Sequence, residues 1–294
     1  MRDQYTSVAH AKLNLALHVV GRRDDGYHLL DSLVAFTQAG DHLTLRIDRK
    51  TQGPPRLTLE GPQAYVLRNE TDNLITRAAD LVMRDVPVAR QGQMRFRLFK
   101  NLPVAAGIGG GSADAASALR LMAQAYAIDP RDLSDHALAL GADVPMCLAQ
   151  VPARIQGIGE QISPLASLPQ CPVILVNPGV AVSTPDVFRA LMCKTNDPMP
   201  DSPPEGFSAF GELVDWLSRC RNDLEKPARE IAPQIGTVLS LLRDQPGCQV
   251  ARMSGSGATC WALFADSSHC QAAARMMSEA FPEGWVCASH FRGQ

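Results

Sequence analysis

The 294-residue sequence has no Gly-Lys dipeptide, no C-x-x-C pair and no apolar run near the roughly 18 residues of a membrane helix. Each absence excludes a class of protein. A Walker-type phosphate loop requires the Gly-Lys, so it is ruled out. The eight cysteines are scattered, the closest two (Cys260 and Cys270) ten residues apart. That excludes zinc-type pairing and reads as free thiols in a reducing compartment. Charge of either sign is not in excess, since a formal net charge of −2 supplies no field for gripping a nucleic-acid backbone. The opening MRDQYTSVAHAK lacks the apolar core of a signal peptide, and no repeat or low-complexity tract is found. The expectation is a soluble cytoplasmic protein with no nucleic-acid or membrane partner, and no pattern sets its oligomeric state.

What is present begins with a hydrophobic fraction of 46%, enough for a real core, and a length that suits about two domains. A Pro- and Ser-containing stretch, SPLASLPQCP, marks the boundary, giving domains 1–163 and 164–294. Between Leu102 and Met122 the chain reads LPVAAGIGGGSADAASALRLM, with glycines at 107, 109, 110 and 111 leading into an alanine-rich helix. Each glycine costs ordering entropy, so the cluster needs a use. A bare backbone at a helix start suits a phosphate, which the N–H groups and the helix dipole both attract. The dinucleotide fingerprint does not fit either, because Ser112 stands where its last glycine belongs. A third kind of phosphate loop is required.

The N-terminal segment alternates, with Ala11, Leu13, Leu15, Leu17 and Val19 on one side of a strand and Lys12, Asn14, Ala16 and His18 on the other. After an Asp25-Gly26 turn, strands are expected in LLDSLVAF, DHLTLRID and PRLTLEG, a helix in DNLITRAADLVMRDV and a strand in QMRFRLFKN that feeds the glycine loop. The helix after the loop ends near Asp129-Pro130, and RDLSDHALAL forms another that stops at Gly141. An extended region follows around ARIQGIGEQ. The second half offers a strand VILVNP, a helix capped by Thr184, a loop MPDSPPEG, helices in FGELVDWLSR and AREIAPQIGTVLSLLRD, and a closing strand–helix–strand from CWALF to WVCASHF.

Lys12 is the most informative residue, because the chain has 5 lysines against 23 arginines and places one mid-strand. Either that strand face is solvated, or Lys12 lines a cleft where it meets a phosphate or holds a carboxylate ionised. Asp143, two residues before a proline, is either a turn residue or a rigidly held acceptor for the proton of an attacking hydroxyl. Asp114 either serves the helix dipole or meets a phosphate through magnesium. Tyr27, His28 and Phe188 are either ordinary packing or two walls around a flat ring. The second glycine run, MSGSGAT, is either a tight turn or a close approach to an anion or a neighbouring loop.

Taken together, AKLNLALHVVGRRDDGYHLLDSL, LPVAAGIGGGSADAA and MSGSGAT, supported by LGADVPMC and RNDLE, resemble the GHMP kinase superfamily from Ala11 to about Ala258. The resemblance implies an α+β fold of two GHMP kinase domains: an N-terminal ribosomal-protein-S5-like β/α domain with the ATP loop, and a C-terminal α/β sandwich with a ferredoxin-like element. It implies an ATP-dependent small-molecule kinase, with Mg2+ carried by ATP. The first segment is similar to the branch that phosphorylates the 2-hydroxyl of a cytidyl diphosphate of methylerythritol, in the non-mevalonate route to isoprenoid precursors.

In that resemblance Lys12 and Asp143 are the catalytic pair, Asp143 as general base and Lys12 as charge partner. Pro103, Val104, Ala105, Ala106, Gly107, Ile108, Gly109, Gly110, Gly111, Ser112 and Ala113 hold the ATP phosphates, with Asn73 and Lys100 near the adenine. Asn14, Tyr27, His28, Thr184 and Phe188 face the cytidyl substrate. Two positions depart from the family pattern: His10 replaces a proline, and Ala113 replaces a second serine, which removes a hydroxyl and leaves the metal ligands unknown. The rivals are a GHMP kinase of the mevalonate or homoserine class, which does not explain GRRDDGYH, and a nucleotide-binding regulatory protein without turnover, which needs no proton acceptor.

Overall fold

The computed structural model describes residues 3–70, 72–88, 91–201 and 206–292. Two compact units divide the chain. One comprises Met1–Ala11, Gly40–Val104 and Gly109–Gln150, the other Lys12–Ala39, Ala105–Ile108 and Val151–Gln294. The two long N-terminal strands, β1 (Asp3–Arg22) and β2 (His28–Asp48), contribute residues to both.

In the first unit the C-terminal half of β2 runs antiparallel to β4 (Gln93–Phe99), and β4 runs parallel to β3 (Arg56–Glu60). Alternation sorts the side chains. Leu43, Leu45, Ile47, Met94, Phe96 and Leu98 are buried, while Arg46, Arg95 and Arg97 face solvent. Helices α1 (Leu74–Met83), α3 (Ser134–Leu140) and α4 (Val144–Ala149) pack against α2 (Gly110–Tyr126). Enclosure on several sides explains the alanines of α2: Ala113, Ala115, Ala116 and Ala118 are buried, and small side chains let the neighbouring helices approach.

In the second unit β2 pairs with β5 (Ala153–Gly157), and β5 with β6 (Gln161–Pro164). A separate antiparallel sheet has the order β10-β7-β9-β8, from β7 (Pro172–Asn177), β8 (Cys248–Met253), β9 (Cys260–Phe264) and β10 (Trp285–His290). Helix α9 (Ser267–Ala280) joins β9 to β10, which flank β7, giving the split strand–helix–strand of a ferredoxin-like element. Helices α5 (Thr184–Ala190), α6 (Phe210–Ser218), α7 (Glu225–Ile231) and α8 (Gln234–Arg243) complete the unit. The fold is α+β, as expected from the sequence. No described helix is long and apolar enough to cross a membrane, and all eight cysteines are free.

Several local expectations are corrected. LLDSLVAF and DHLTLRID are one continuous strand, because Gly40 serves closeness rather than turning: a Cβ there would lie 2.6 Å from the Ala9 carbonyl oxygen. Helix α5 is capped by Ser183, whose Oγ accepts from Asp186 N, so Thr184 is its first residue rather than its cap. AREIAPQIGTVLSLLRD lies in two helices, separated at Ala232 and Pro233. ADVPMC contains the unexpected helix α4, and β8 was not foreseen. Residues 202–205 of the loop MPDSPPEG fall outside the described residues.

Asn222, in the RNDLE segment, ties the second unit together. Its Nδ2 donates to the carbonyls of Met253 (2.9 Å) and Gly255 (2.8 Å), and its Oδ1 accepts from Leu224 N (2.9 Å). Asn222→Ala strands three buried backbone groups, and a loss of about 2–4 kcal/mol in unfolding free energy is expected by denaturant titration. A loss below about 0.5 kcal/mol would contradict this assignment of the motif.

Candidate functional site

The glycine loop draws residues from both units. In the first unit, α2 begins at Gly110 after Gly109, whose φ of 66° is the left-handed conformation that glycine adopts without strain. Gly111 is exposed and Ser112 half-buried, so the first N–H groups of a 17-residue helix face outward. Ala113 is fully buried, so this departure from the family pattern lies on the packed side of the helix.

Beneath that start sits Lys100, 2% exposed, with Nζ donating to Asp41 Oδ2 and Asp114 Oδ2, both at 2.6 Å. Asp41 Oδ1 accepts in turn from the backbone N–H groups of Asn101 (2.6 Å) and Leu102 (2.8 Å), which lead into the loop. A Cβ at Gly110 would meet Lys100 Nζ at 3.3 Å, so the ammonium lies directly under the first helical residue. The expected choice for Asp114 between dipole and magnesium thus resolves otherwise: its Oδ2 is engaged by Lys100. Asn73 caps α1, its Oδ1 accepting from Ile75 N at 2.9 Å. Asp143 stands at the N-cap of α4, where its carboxylate makes no capping bond.

In the second unit both faces of β1 are buried from Ala11 to Val19, which excludes the solvated reading of Lys12. Lys12 Nζ donates to Asn14 Oδ1 (3.1 Å), and Asn14 Nδ2 donates to Ser32 Oγ (2.8 Å), which donates to the Ala16 carbonyl (2.6 Å). Asn14 N donates to Ser254 Oγ (3.1 Å), and Ser254 Oγ donates to the Gly107 carbonyl (2.9 Å). Lys12 N donates to Ile108 O (3.0 Å) and Thr259 N to Ala106 O (3.2 Å). The second glycine run is therefore the backing of the first. Gly107 has φ 74°, and a Cβ on it would come within 2.5 Å of Ser254 O.

His28 stacks on Phe188 with ring centroids 4.7 Å apart and planes 24° from parallel. With Tyr27, Leu30, Ile158, Thr184 and Pro185 they line a cavity of about 510 Å³. Tyr27 is 62% exposed at its edge. Thr184 Oγ1 lies 2.7 Å from Ser256 Oγ, linking this cavity to the second glycine run. Burial, then Arg22 and Lys194, lowers the His28 pKa and favours the neutral ring, and its buried Nε2 has no hydrogen-bond partner.

The second unit thus brings Lys12 together with Asn14, and His28 with Phe188 and Thr184. The first gathers Lys100 under Gly110, while Asn73 and Asp143 stand at two other helix starts. Reading the sequence missed Asp41 and Ser32. Each lies in β2 with no local motif, and only pairing across distant segments gives it a role. Among the described residues no group of three His, Cys, Asp or Glu side chains converges to hold a metal.

Comparison with known proteins agrees with this architecture. Residues 73–150 match the GHMP kinases N terminal domain and residues 205–283 the GHMP kinases C terminal domain. The 4-diphosphocytidyl-2-C-methyl-D-erythritol kinase of Dinoroseobacter shibae is 50% identical over 97% of this chain and 94% of its own. That of Paracoccus denitrificans is also 50% identical, over 96% and 94%. A crystal structure of 4-(cytidine 5'-diphospho)-2C-methyl-D-erythritol kinase superposes with TM-score 0.81 at 33% identity, covering 99% of this chain and 100% of the other. A homoserine kinase from Cytophaga hutchinsonii shares the fold, with TM-score 0.69 at 17% identity. Half identical to such kinases over nearly its whole length, and folded as they are, the chain is an ATP-dependent small-molecule kinase that belongs to the 4-diphosphocytidyl-2-C-methyl-D-erythritol kinase family of the GHMP kinases.

Proposed function

We propose that the chain transfers the γ-phosphoryl group of ATP to the 2-hydroxyl of 4-diphosphocytidyl-2-C-methyl-D-erythritol, in the cytoplasm. The observation that carries the substrate choice is the His28–Phe188 stack in the wall of a cavity of about 510 Å³. In this reading residues 1–163 and 164–294 are the two family domains. ATP enters with magnesium on its phosphates, as substrate.

The chemistry asks little covalent help from the protein. The 2-hydroxyl oxygen attacks the γ-phosphorus, Asp143 accepts the hydroxyl proton, the bond from the γ-phosphorus to the β–γ bridging oxygen breaks, and ADP leaves. Lys12, a compact charge fixed by Asn14, offsets the negative charge of reacting groups. The backbone from Pro103 to Ala113 cradles the phosphates. Lys100 and Asn73 serve the adenine end by position and backbone, because the Lys100 ammonium is held by two carboxylates and the Asn73 side chain caps α1. Asn14, Tyr27, His28, Thr184 and Phe188 hold the cytidyl group. Stacking accepts any base, so selectivity for cytosine comes from hydrogen bonds to its edge, for which the His28 backbone and ring are the candidates.

Three variants test these roles. Asp143→Asn is expected to lower kcat by about 100-fold or more while ATP and substrate binding stay near wild type; a variant keeping over about half of wild-type turnover removes Asp143 as the base. Gly109→Val forces a branched residue into positive φ at the helix start, so ATP affinity should collapse in a folded protein. Unchanged calorimetric ATP binding would take the loop out of the site. His28→Ala should raise KM for the cytidyl substrate about ten- to a hundredfold with little change for ATP. The substrate itself is tested in one coupled assay offering the cytidyl compound, mevalonate and homoserine in parallel. Turnover of either of the last two in preference to the first would overturn the proposal.

A further inference from the structure

Behind the start of α2 the charges do not balance. Lys100 brings one positive charge against two carboxylates, Asp41 and Asp114, and all three side chains are buried. Asp41 is fully used, with Oδ2 accepting from Lys100 and Oδ1 from two backbone N–H groups. Asp114 is not. Its Oδ2 accepts from Lys100, whereas its Oδ1 is buried without a hydrogen-bond partner, five residues beyond Gly109. A buried acceptor left unsatisfied is costly, and a proton on that carboxyl relieves the excess charge.

The remaining charges around α2 point elsewhere. Helix α1 carries Arg77 and Asp80, both exposed; α3 carries exposed Asp135 and half-buried His136, the latter 2.9 Å from Asp85; α4 carries none. Arg120, on α2 itself, donates to the carbonyls of Cys147 and Val8. Lys100 and Asp41 therefore set the state of Asp114. Burial and then the proximity of Asp41 push the Asp114 carboxyl up to about 7, against the pull of Lys100. Burial alone would lower Lys100, but Asp114 and Asp41 outweigh it and keep the ammonium charged.

We infer that Asp114 is a positioning residue whose proton readies the helix start at Gly109 for a nucleotide phosphate. This rests on the reading of that helix start as the ATP phosphate site. With Asp114 ionised the cluster carries a net charge of −1 just beneath the outward-facing N–H groups, and it offsets the positive end of the helix dipole. With Asp114 protonated the cluster is neutral and the dipole acts on the phosphates undiminished. Proton uptake and phosphate binding then favour each other, by thermodynamic reciprocity. Rising pH removes the proton and weakens nucleotide binding, so KM for ATP should rise about three- to tenfold between about pH 6 and 8.

The test uses the full chain and a magnesium-saturated, non-hydrolysable ATP analogue. Calorimetry in two buffers of different ionisation enthalpy, at slightly alkaline pH, counts protons exchanged on binding. Wild type is expected to take up a sizeable fraction of a proton. Asp114→Asn, which keeps the side-chain shape and leaves Lys100 paired with Asp41, is expected to lose that fraction. Its ATP KM should stay flat with pH at the value wild type shows under acidic conditions. Equal uptake in both proteins, or a wild-type ATP KM independent of pH, overturns the inference. The wild-type measurements decide the matter even where the variant does not fold. Failure of the phosphate-loop reading would appear separately, as nucleotide binding untouched by Gly109→Val.

Discussion

A phosphate loop made of glycines has no side chains with which to hold itself, so its shape must be imposed from outside. Every other feature of the site follows from that constraint. In the second unit the imposition is backbone to backbone. Lys12 N fixes Ile108 O, Thr259 N fixes Ala106 O, and Ser254 Oγ fixes Gly107 O. The contact at Gly107 is close enough that any Cβ would collide with Ser254 and Gly257. In the first unit one carboxylate, Asp41, takes the two N–H groups entering the loop and is itself held by Lys100. The second glycine run thus gives up its own side chains to support the first.

This arrangement places charge and polar groups where burial is expensive. An isolated ion in a protein interior costs several kcal/mol unless it is paired and hydrogen-bonded. Lys100, Asp41, Asp31 and Arg154 meet that requirement: Asp31 receives both Arg154 nitrogens at 2.6–2.7 Å and Met199 N at 2.9 Å. Among the buried atoms without partners, Asp114 Oδ1 belongs to the helix that starts at Gly110 and His28 Nε2 to a ring that lines the second unit's cavity. Structural ion networks satisfy themselves, whereas a binding site holds capacity for a ligand.

What could be read from the sequence divides along physical lines. The glycine loop and Lys12, with Asn14 beside it, announce themselves because each breaks a local rule: a glycine cluster before a helix, or a charge inside a strand. Strands β1, β4, β7 and β9 follow from alternation or apolar runs. The rest depends on long-range pairing. Asp41 opens an expected strand with nothing local to mark its role, and its partners Lys100 and Asn101 are about sixty residues away. The continuity of β2 through Thr37 and Gly40 rests on close approach to Ala9, which no window of neighbouring residues encodes. Compact units also ignore chain order, since residues 12–39 and 105–108 belong with 151–294.

The base cavity and the glycine loop share one frame. Thr184, at the start of α5, lies within hydrogen-bond distance of Ser256, and the same run supplies Ser254 to Gly107 and to Asn14 N. Asn14 in turn orients Lys12 through its amide oxygen. A shift of α5 to admit a base would therefore press on Ser256 and, through two residues of tightly turned chain, on the carbonyl that sets the loop. Gly255 takes positive φ along that path, so the link is a sharply bent backbone. Coupling of this kind needs no long relay, because each step is one hydrogen bond within a single unit. The small hydroxyl and glycine residues of MSGSGAT thus join the cavity beside Thr184 to the Gly107 carbonyl within the second unit.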